Sequence, residues 1–149
     1  MQTFLIIAFL IAAVNAQSSS GGRGNATDIL EAAQTWQGTP YLWGGEGDPT
    51  NKGPSGPGID CSHLVWRAVQ ESVNPSFPYL DTSSWQSSGA PGFSEVDCGA
   101  VHDGDMVLFQ GHIGVSDWYQ TVYSATSHGV RHGEWSWFGS PIMCFTFAG

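Results

Sequence analysis

The stretch that most constrains the fold is Gly58-Ile59-Asp60-Cys61-Ser62-His63-Leu64-Val65-Trp66-Arg67-Ala68-Val69. A loop ends at a cysteine and turns at once into a helix, because Leu64, Val65, Ala68 and Val69 fall at helical spacing and make one apolar stripe. Cys61 then sits in the first turn, where free backbone N–H groups and the positive end of the helix dipole favour a thiolate. That is a place for a reactive cysteine. A buried or disulfide-bonded cysteine that happens to begin a helix reads the same way from this stretch alone.

The start of the chain bounds the compartment. Phe4 to Val14 is an apolar run too short to span a bilayer, and Val14-Asn15-Ala16 ends it with small residues of the A-x-A type. Residues 1–16 are therefore expected to be a secretory signal peptide, although Met1-Gln2-Thr3 brings no Lys or Arg. Residues 17–26 read as a flexible Ser/Gly-rich leader and residues 27–149 as one domain. No other run approaches transmembrane length, and no cysteine near residue 16 offers a lipid site. The expected product is a soluble, secreted monomer, extracellular or periplasmic, with no membrane partner.

The formal net charge of −9 excludes classes of partner. Nucleic acid and anionic membrane surfaces both need a basic patch, and four Lys plus Arg against thirteen Asp plus Glu do not supply one. Only 11% of residues are charged while 13% are aromatic, and twenty are glycine, which suits a loop-rich, strand-containing globule rather than a disordered chain.

Three cysteines leave one over. Cys98 and Cys144 can pair if the strand holding Cys144 passes the loop holding Cys98, and closing that loop would contribute roughly 4 kcal/mol in the chain-entropy model. Cys61 then stays free in an oxidising compartment, a liability unless the thiol is used. The two other pairings stay open on the sequence.

In chain order, Asn25-Ala26-Thr27-Asp28 carries capping residues ahead of Ile29, Leu30, Ala33 and Trp36, which predicts a first helix over about residues 27–37. Asn25-Ala26-Thr27 is also an N-glycosylation sequon, of consequence only in a eukaryote. Residues 46–58 form a surface loop without apolar payload. The cysteine helix ends before Asn74-Pro75, and residues 74–100 read as irregular, either a functional loop or one held down by Cys98. From Val101 the pattern changes to five short strands: 106–109, 113–116, 121–125, 129–132 and 142–147. Two helices followed by a meander of strands give α+β.

Four segments now stand in one order: Gly38-Thr39-Pro40-Tyr41-Leu42-Trp43-Gly44-Gly45, Asp60-Cys61-Ser62, Asp103-Gly104-Asp105-Met106-Val107-Leu108-Phe109, and Gly111-His112-Ile113-Gly114-Val115. Together they resemble the NlpC/P60 family of cysteine peptidases, over roughly residues 27–147. The resemblance implies a papain-like α+β core, with N-terminal helices packed on an antiparallel sheet of about five short strands. It implies hydrolysis of stem peptides in bacterial peptidoglycan or muropeptides, commonly at the bond between γ-D-glutamate and a diamino acid. It implies a thiol mechanism with no metal and no cofactor.

The same resemblance assigns Cys61 as nucleophile and His112 as general base, then acid. Tyr41 would line the site and help hold the oxyanion, and Asp60 and Ser62 would bind polar ends of the stem peptide. The chain departs from the family at the third member, which is often His, Glu, Gln or Asn. Here the matching segment is Val122-Tyr123-Ser124-Ala125, so Ser124 takes that place, with His128 as the substitute if the following turn brings it back. A serine hydroxyl can meet a ring N–H but carries no charge to stabilise imidazolium.

Other aromatic and histidine residues are expected to be structural. His63 stands where the family commonly has Gly; as a helical neighbour two residues from Cys61 it cannot be the base, but it can shape the substrate groove. His102 and His132 read as surface residues and Asp105 as a turn residue. Trp135 and Trp137 alternate with polar residues and could line a sugar- or peptide-binding edge. Two rival readings remain: an amidase or acyltransferase using the same Cys-His pair, and a secreted, non-catalytic cell-wall-binding module.

Overall fold

The computed structural model describes residues 25–149, so the expected signal peptide over residues 1–16 and residues 17–24 of the expected leader lie outside the described residues. The first element is set by its cap. Asn25 Oδ1 accepts the N–H groups of Thr27 (3.0 Å) and Asp28 (3.3 Å), and the Asp28 carboxylate accepts the Asn25 N–H (2.9 Å). This reciprocal pair starts α1, Ala26–Gln34, which buries Ile29, Leu30 and Ala33. The helix is shorter than its periodicity suggests: the chain leaves it in a turn through Thr35 and Trp36 to Gly38, at φ 83°, and Trp36 is buried from that turn.

The cysteine helix, α2, is Cys61–Ser72, and its buried stripe is Leu64, Val65, Ala68 and Val69. Asp60 is the N-cap and accepts the His63 N–H at 2.9 Å. A third helix, α3, Thr82–Ser88, occupies part of the stretch that reads as irregular in sequence. Asp81 caps it by accepting the Ser84 N–H at 2.8 Å, and Trp85 alone anchors it in the core.

The sheet has six strands rather than about five: β1 Phe93–Val96, β2 Met106–Phe109, β3 His112–Ser116, β4 Thr121–Thr126, β5 Gly129–Glu134 and β6 Met143–Phe147. They pair antiparallel throughout in the order β1-β6-β2-β3-β4-β5. The added strand is an edge, β1, on β6, with Val96 opposite Cys144. Just beyond it Cys98 bonds Cys144, with their Cα atoms 5.2 Å apart, so the edge strand is both paired and stapled.

Both faces of the central strands are covered. Met106, Leu108, Ile113 and Val115 face the helices in the main core, where α2 packs on β3 and β4. Val107, Phe109, Val122 and Cys144 form a smaller cluster with Val101, Trp135 and Phe138 packed against it. The alternation is the two-residue period of a strand with apolar cover on each side, which makes β2 and β3 stiff supports. The fold is α+β, with the first residue of β3 brought to the start of α2.

Candidate active site

Cys61 opens α2 and is 8% exposed. The backbone N–H of Ile113 faces its sulfur and favours the thiolate form, which puts the thiol against the start of β3, one residue from His112. Gly111, at φ 71°, turns the chain from β2 into that strand. The imidazole is fixed from two sides. Its face stacks on Phe138 at a centroid distance of 4.1 Å and an interplanar angle of 11°, and Nε2 lies 3.1 Å from Ser124 Oγ. With Nε2 engaged there, Nδ1 is the nitrogen left to exchange a proton.

Ser124 is fully buried on β4. Its approach depends on Gly114: a Cβ at that position would lie 3.0 Å from the Ser124 Cβ and 2.8 Å from the Val122 Cβ. Glycine in β3 therefore lets β4 close up beside it. His128 sits in the turn between β4 and β5, and its hydrogen bonds go to Ser127 and Thr126 within that turn. Of the two candidates, Ser124 is the one hydrogen-bonded to His112.

Burial opposes the thiolate that the helix start favours. Burial pushes the Cys61 thiol above its ordinary value, outweighing the Ile113 N–H and the first-turn N–H groups, while the Asp60 carboxylate adds to the rise. Burial also lowers His112, to about 4. At neutral pH the resting pair is thus a thiol beside a neutral imidazole, a base ready to accept a proton.

Asp60 organises the mouth of the site. One carboxylate oxygen accepts the His63 N–H (2.9 Å) and faces His63 Nδ1 (2.8 Å) and Ser62 Oγ (3.3 Å), and the other accepts the Gly44 N–H (2.8 Å). The close run of the Gly45 and Gly58 backbones makes the last contact possible, since a Cβ on Gly45 would lie 2.5 Å from the Gly58 carbonyl oxygen. Ser62 Oγ also shares a 2.8 Å hydrogen bond with the Tyr79 hydroxyl. Tyr79 in turn stacks on His63 at 4.0 Å, with Trp66 edge-on to both.

A cavity of about 350 Å³ opens over Cys61, and Tyr41, Asp60, Ser62 and His63 line it. Burial and the neighbouring Cys61 and Asp60 raise the Tyr41 hydroxyl above its usual value, so it remains a donor. Sequence reasoning misses part of this wall: Tyr79, Asp81, Thr82 and Ser83 also line it. The capping run Asp81-Thr82-Ser83-Ser84 is the signal that could have found α3 and hence this wall. Nothing local marks Phe138 as the surface on which His112 rests. Among the described residues no group of three or more metal-ligating side chains occurs, and no helix is long and apolar enough to cross a membrane.

The comparisons agree with this architecture. The family model described as "NlpC/P60 family" matches residues 38–136. The crystal structure of the NlpC/p60 domain of the peptidoglycan hydrolase SagA aligns with a TM-score of 0.64 at 21% identity, covering 83% of this chain and 99% of that one. An NLP/P60 family protein similar to lipoprotein, from Staphylococcus aureus subsp. aureus Mu50, aligns at 0.58 and 19%, covering 83% of this chain and 41% of that one. The P60 domain of an antigen from M. avium paratuberculosis aligns at 0.56 and 17%, covering 90% and 98%. At these identities the likeness is one of fold. No curated protein matches the chain.

Proposed function

The chain belongs to the NlpC/P60 family, and from that premise we propose that it is a secreted cysteine endopeptidase that hydrolyses stem peptides of bacterial peptidoglycan. The observation that carries the reading is the placing of Cys61, at the start of α2, against the start of β3, where the His112 ring is held by Ser124 and Phe138. A structural thiol needs no oriented imidazole next to it. The bond most consistent with the family resemblance is that between γ-D-glutamate and the diamino acid.

The chemistry follows from the resting protonation states. His112 accepts the Cys61 proton as the sulfur attacks the scissile carbonyl carbon, so the thiolate forms as it is used. The negative charge that develops on the carbonyl oxygen is met by the N–H of Cys61 at the helix start and by the Tyr41 hydroxyl. The imidazolium then gives its proton to the leaving amine, and the C–N bond breaks to leave a thioester. Water, losing a proton to His112, attacks that thioester and frees the carboxylate and the thiol. Ser124 accepts the Nε2–H throughout and holds the tautomer in which Nδ1 is the base.

Asp60 and Ser62 present polar atoms to the peptide, and His63 and Tyr79 form the aromatic wall beside them. The Cys98–Cys144 disulfide suits an oxidising compartment, in keeping with secretion. One observation favours the binding-module reading: the raised thiol. Product masses from peptidoglycan and its soluble muropeptides separate the two, since a module releases no fragments. They also separate an endopeptidase from an amidase or an acyltransferase, which differ in the bond cut or the acceptor used.

A further inference from the structure

A second cavity, of about 540 Å³, lies away from the one over Cys61, and the two share no lining residue. It lies at the far end of β3, under the β3–β4 turn, with Trp118, Tyr119 and Gln120 from the turn, His102 and Asp103 from the segment before β2, and Trp135 after β5. Trp118 and Tyr119 are 74% and 75% exposed. Large aromatic rings held in water at a cavity mouth gain little from packing in the free protein.

The turn pays a conformational cost to hold them there. Trp118 (φ 76°) and Gln120 (φ 50°) are the non-glycine residues at positive φ among those described. A bulky side chain in that region is disfavoured, and such strain collects where it serves a ligand. Asp103 fixes the turn by accepting the Trp118 N–H at 2.9 Å. A second observation is independent of the turn: Trp135 buries an indole N–H that meets no acceptor among the described residues.

We infer that this cavity is a binding site for a neutral saccharide of the N-acetylhexosamine type, a section of the glycan strand of the polymer whose stem peptide enters the Cys61 cleft. The inference rests on the peptidoglycan reading for that identity. A pyranose ring has an apolar C–H face that suits an exposed indole or phenol, and a rim of hydroxyl and acetamide groups that suits Gln120, His102 and Asp103, with the Trp135 ring in the wall beside them. Charge selects among polymers. Among the described residues no Lys or Arg lines the cavity, Asp103 does, and the chain carries −9, which disfavours phosphate-rich or carboxylate-rich ligands there and leaves a neutral sugar unaffected. An apolar peptide would leave the polar rim without partners.

The geometry fits one substrate touching both sites. β3 begins at His112 and ends at Ser116, which lines this cavity, so one strand of roughly 15 Å separates them. Glycan contact there would raise the local concentration of stem peptide at Cys61.

The test uses the full chain carrying Cys61→Ala, titrated with chitotetraose, a glycan without peptide, by calorimetry and tryptophan fluorescence. Saturable binding is expected, weakened about tenfold or more by Trp118→Ala. Trp135→Phe, which keeps a ring and loses the N–H, should weaken it by a smaller factor. No saturable binding, binding unaffected by both substitutions, a free stem peptide binding there instead, or Trp118-dependent self-association without a glycan response each overturns the inference. With Cys61 intact, Trp118→Ala should still cleave a sugar-free stem peptide at the parent rate and lose activity on intact peptidoglycan. If the parent cleaves nothing while chitotetraose binds through Trp118, the peptidase reading fails and the saccharide site stands.

Discussion

His112 Nε2 lies 3.1 Å from Ser124 Oγ, a short, uncharged hydroxyl. Stacking on Phe138 holds the same ring by its face, so orientation does not rest on the hydrogen bond alone. Ser124→Ala should therefore lower kcat/KM by only about tenfold, while His112→Ala, which removes the base, should lower it by about 10³-fold or more. Steady-state kinetics on a soluble muropeptide check this. Equal and total losses at both positions would show that Ser124 does more than orient.

The pH dependence follows from His112, whose pKa is lowered to about 4 by burial. The imidazole stays neutral through the mildly acid range, so the acid limb of kcat/KM should fall near pH 4 to 5 rather than near 6.5. Stability moves with it. The unfolded chain binds a proton at this residue below about pH 6.5 and the folded chain does not until about pH 4, so His112 makes stability decline as pH drops across that window. Denaturant melts should show less of this decline in His112→Gln.

Cys61 has the opposite sign. Its folded pKa lies above the ordinary thiol value, so the unfolded chain loses that proton first and stability declines as pH rises past the ordinary thiol range. Alkylation of the free protein by iodoacetamide should accordingly be slow at neutral pH and accelerate only above the range of a model thiol. Rapid labelling near pH 6 would mean that Cys61 and His112 rest as a preformed ion pair.

His63 ties the mouth of the site together through Asp60 and the stack on Tyr79. His63→Ala removes both contacts and should cost about 1–2 kcal/mol of stability. It should also raise KM more than it lowers kcat, since Asp60 and Tyr79 line the cavity but do not touch the reacting atoms. A fall in kcat with KM unchanged would contradict that division.

The Cys98–Cys144 bridge staples edge strand β1 to β6 across 46 residues of chain. Replacing both cysteines by serine should cost on the order of 2–4 kcal/mol. Thermal melts with and without reductant would register it as a lower Tm for the reduced protein.

The sequence makes the α2 site legible for definite reasons. Asp60 is a capping residue, the apolar stripe from Leu64 to Val69 is strictly helical, and His112 follows a glycine that ends one strand and starts another. The α3 wall is not legible in the same way, because Thr82–Ser88 buries only Trp85 and so has no period to read. β1 hides for a related reason: none of its four residues is fully buried, and its partner lies about fifty residues away. The protonation state of Cys61 is beyond any local signal. A helix start favours the thiolate, but the burial that overrides it arises only when α2 packs into the folded core. Likewise, Asp117-Trp118-Tyr119-Gln120 reads as a break between strands, and only the backbone angles and the cavity below mark it as something more.

The measurement that tests the central claim most directly is mass spectrometry of purified peptidoglycan, and of its soluble muropeptides, after incubation with the protein and with Cys61→Ala. New fragments ending in γ-D-glutamate are expected with the wild-type protein and none with Cys61→Ala. No fragments from either substrate, or the same fragments with Cys61→Ala, would contradict that claim.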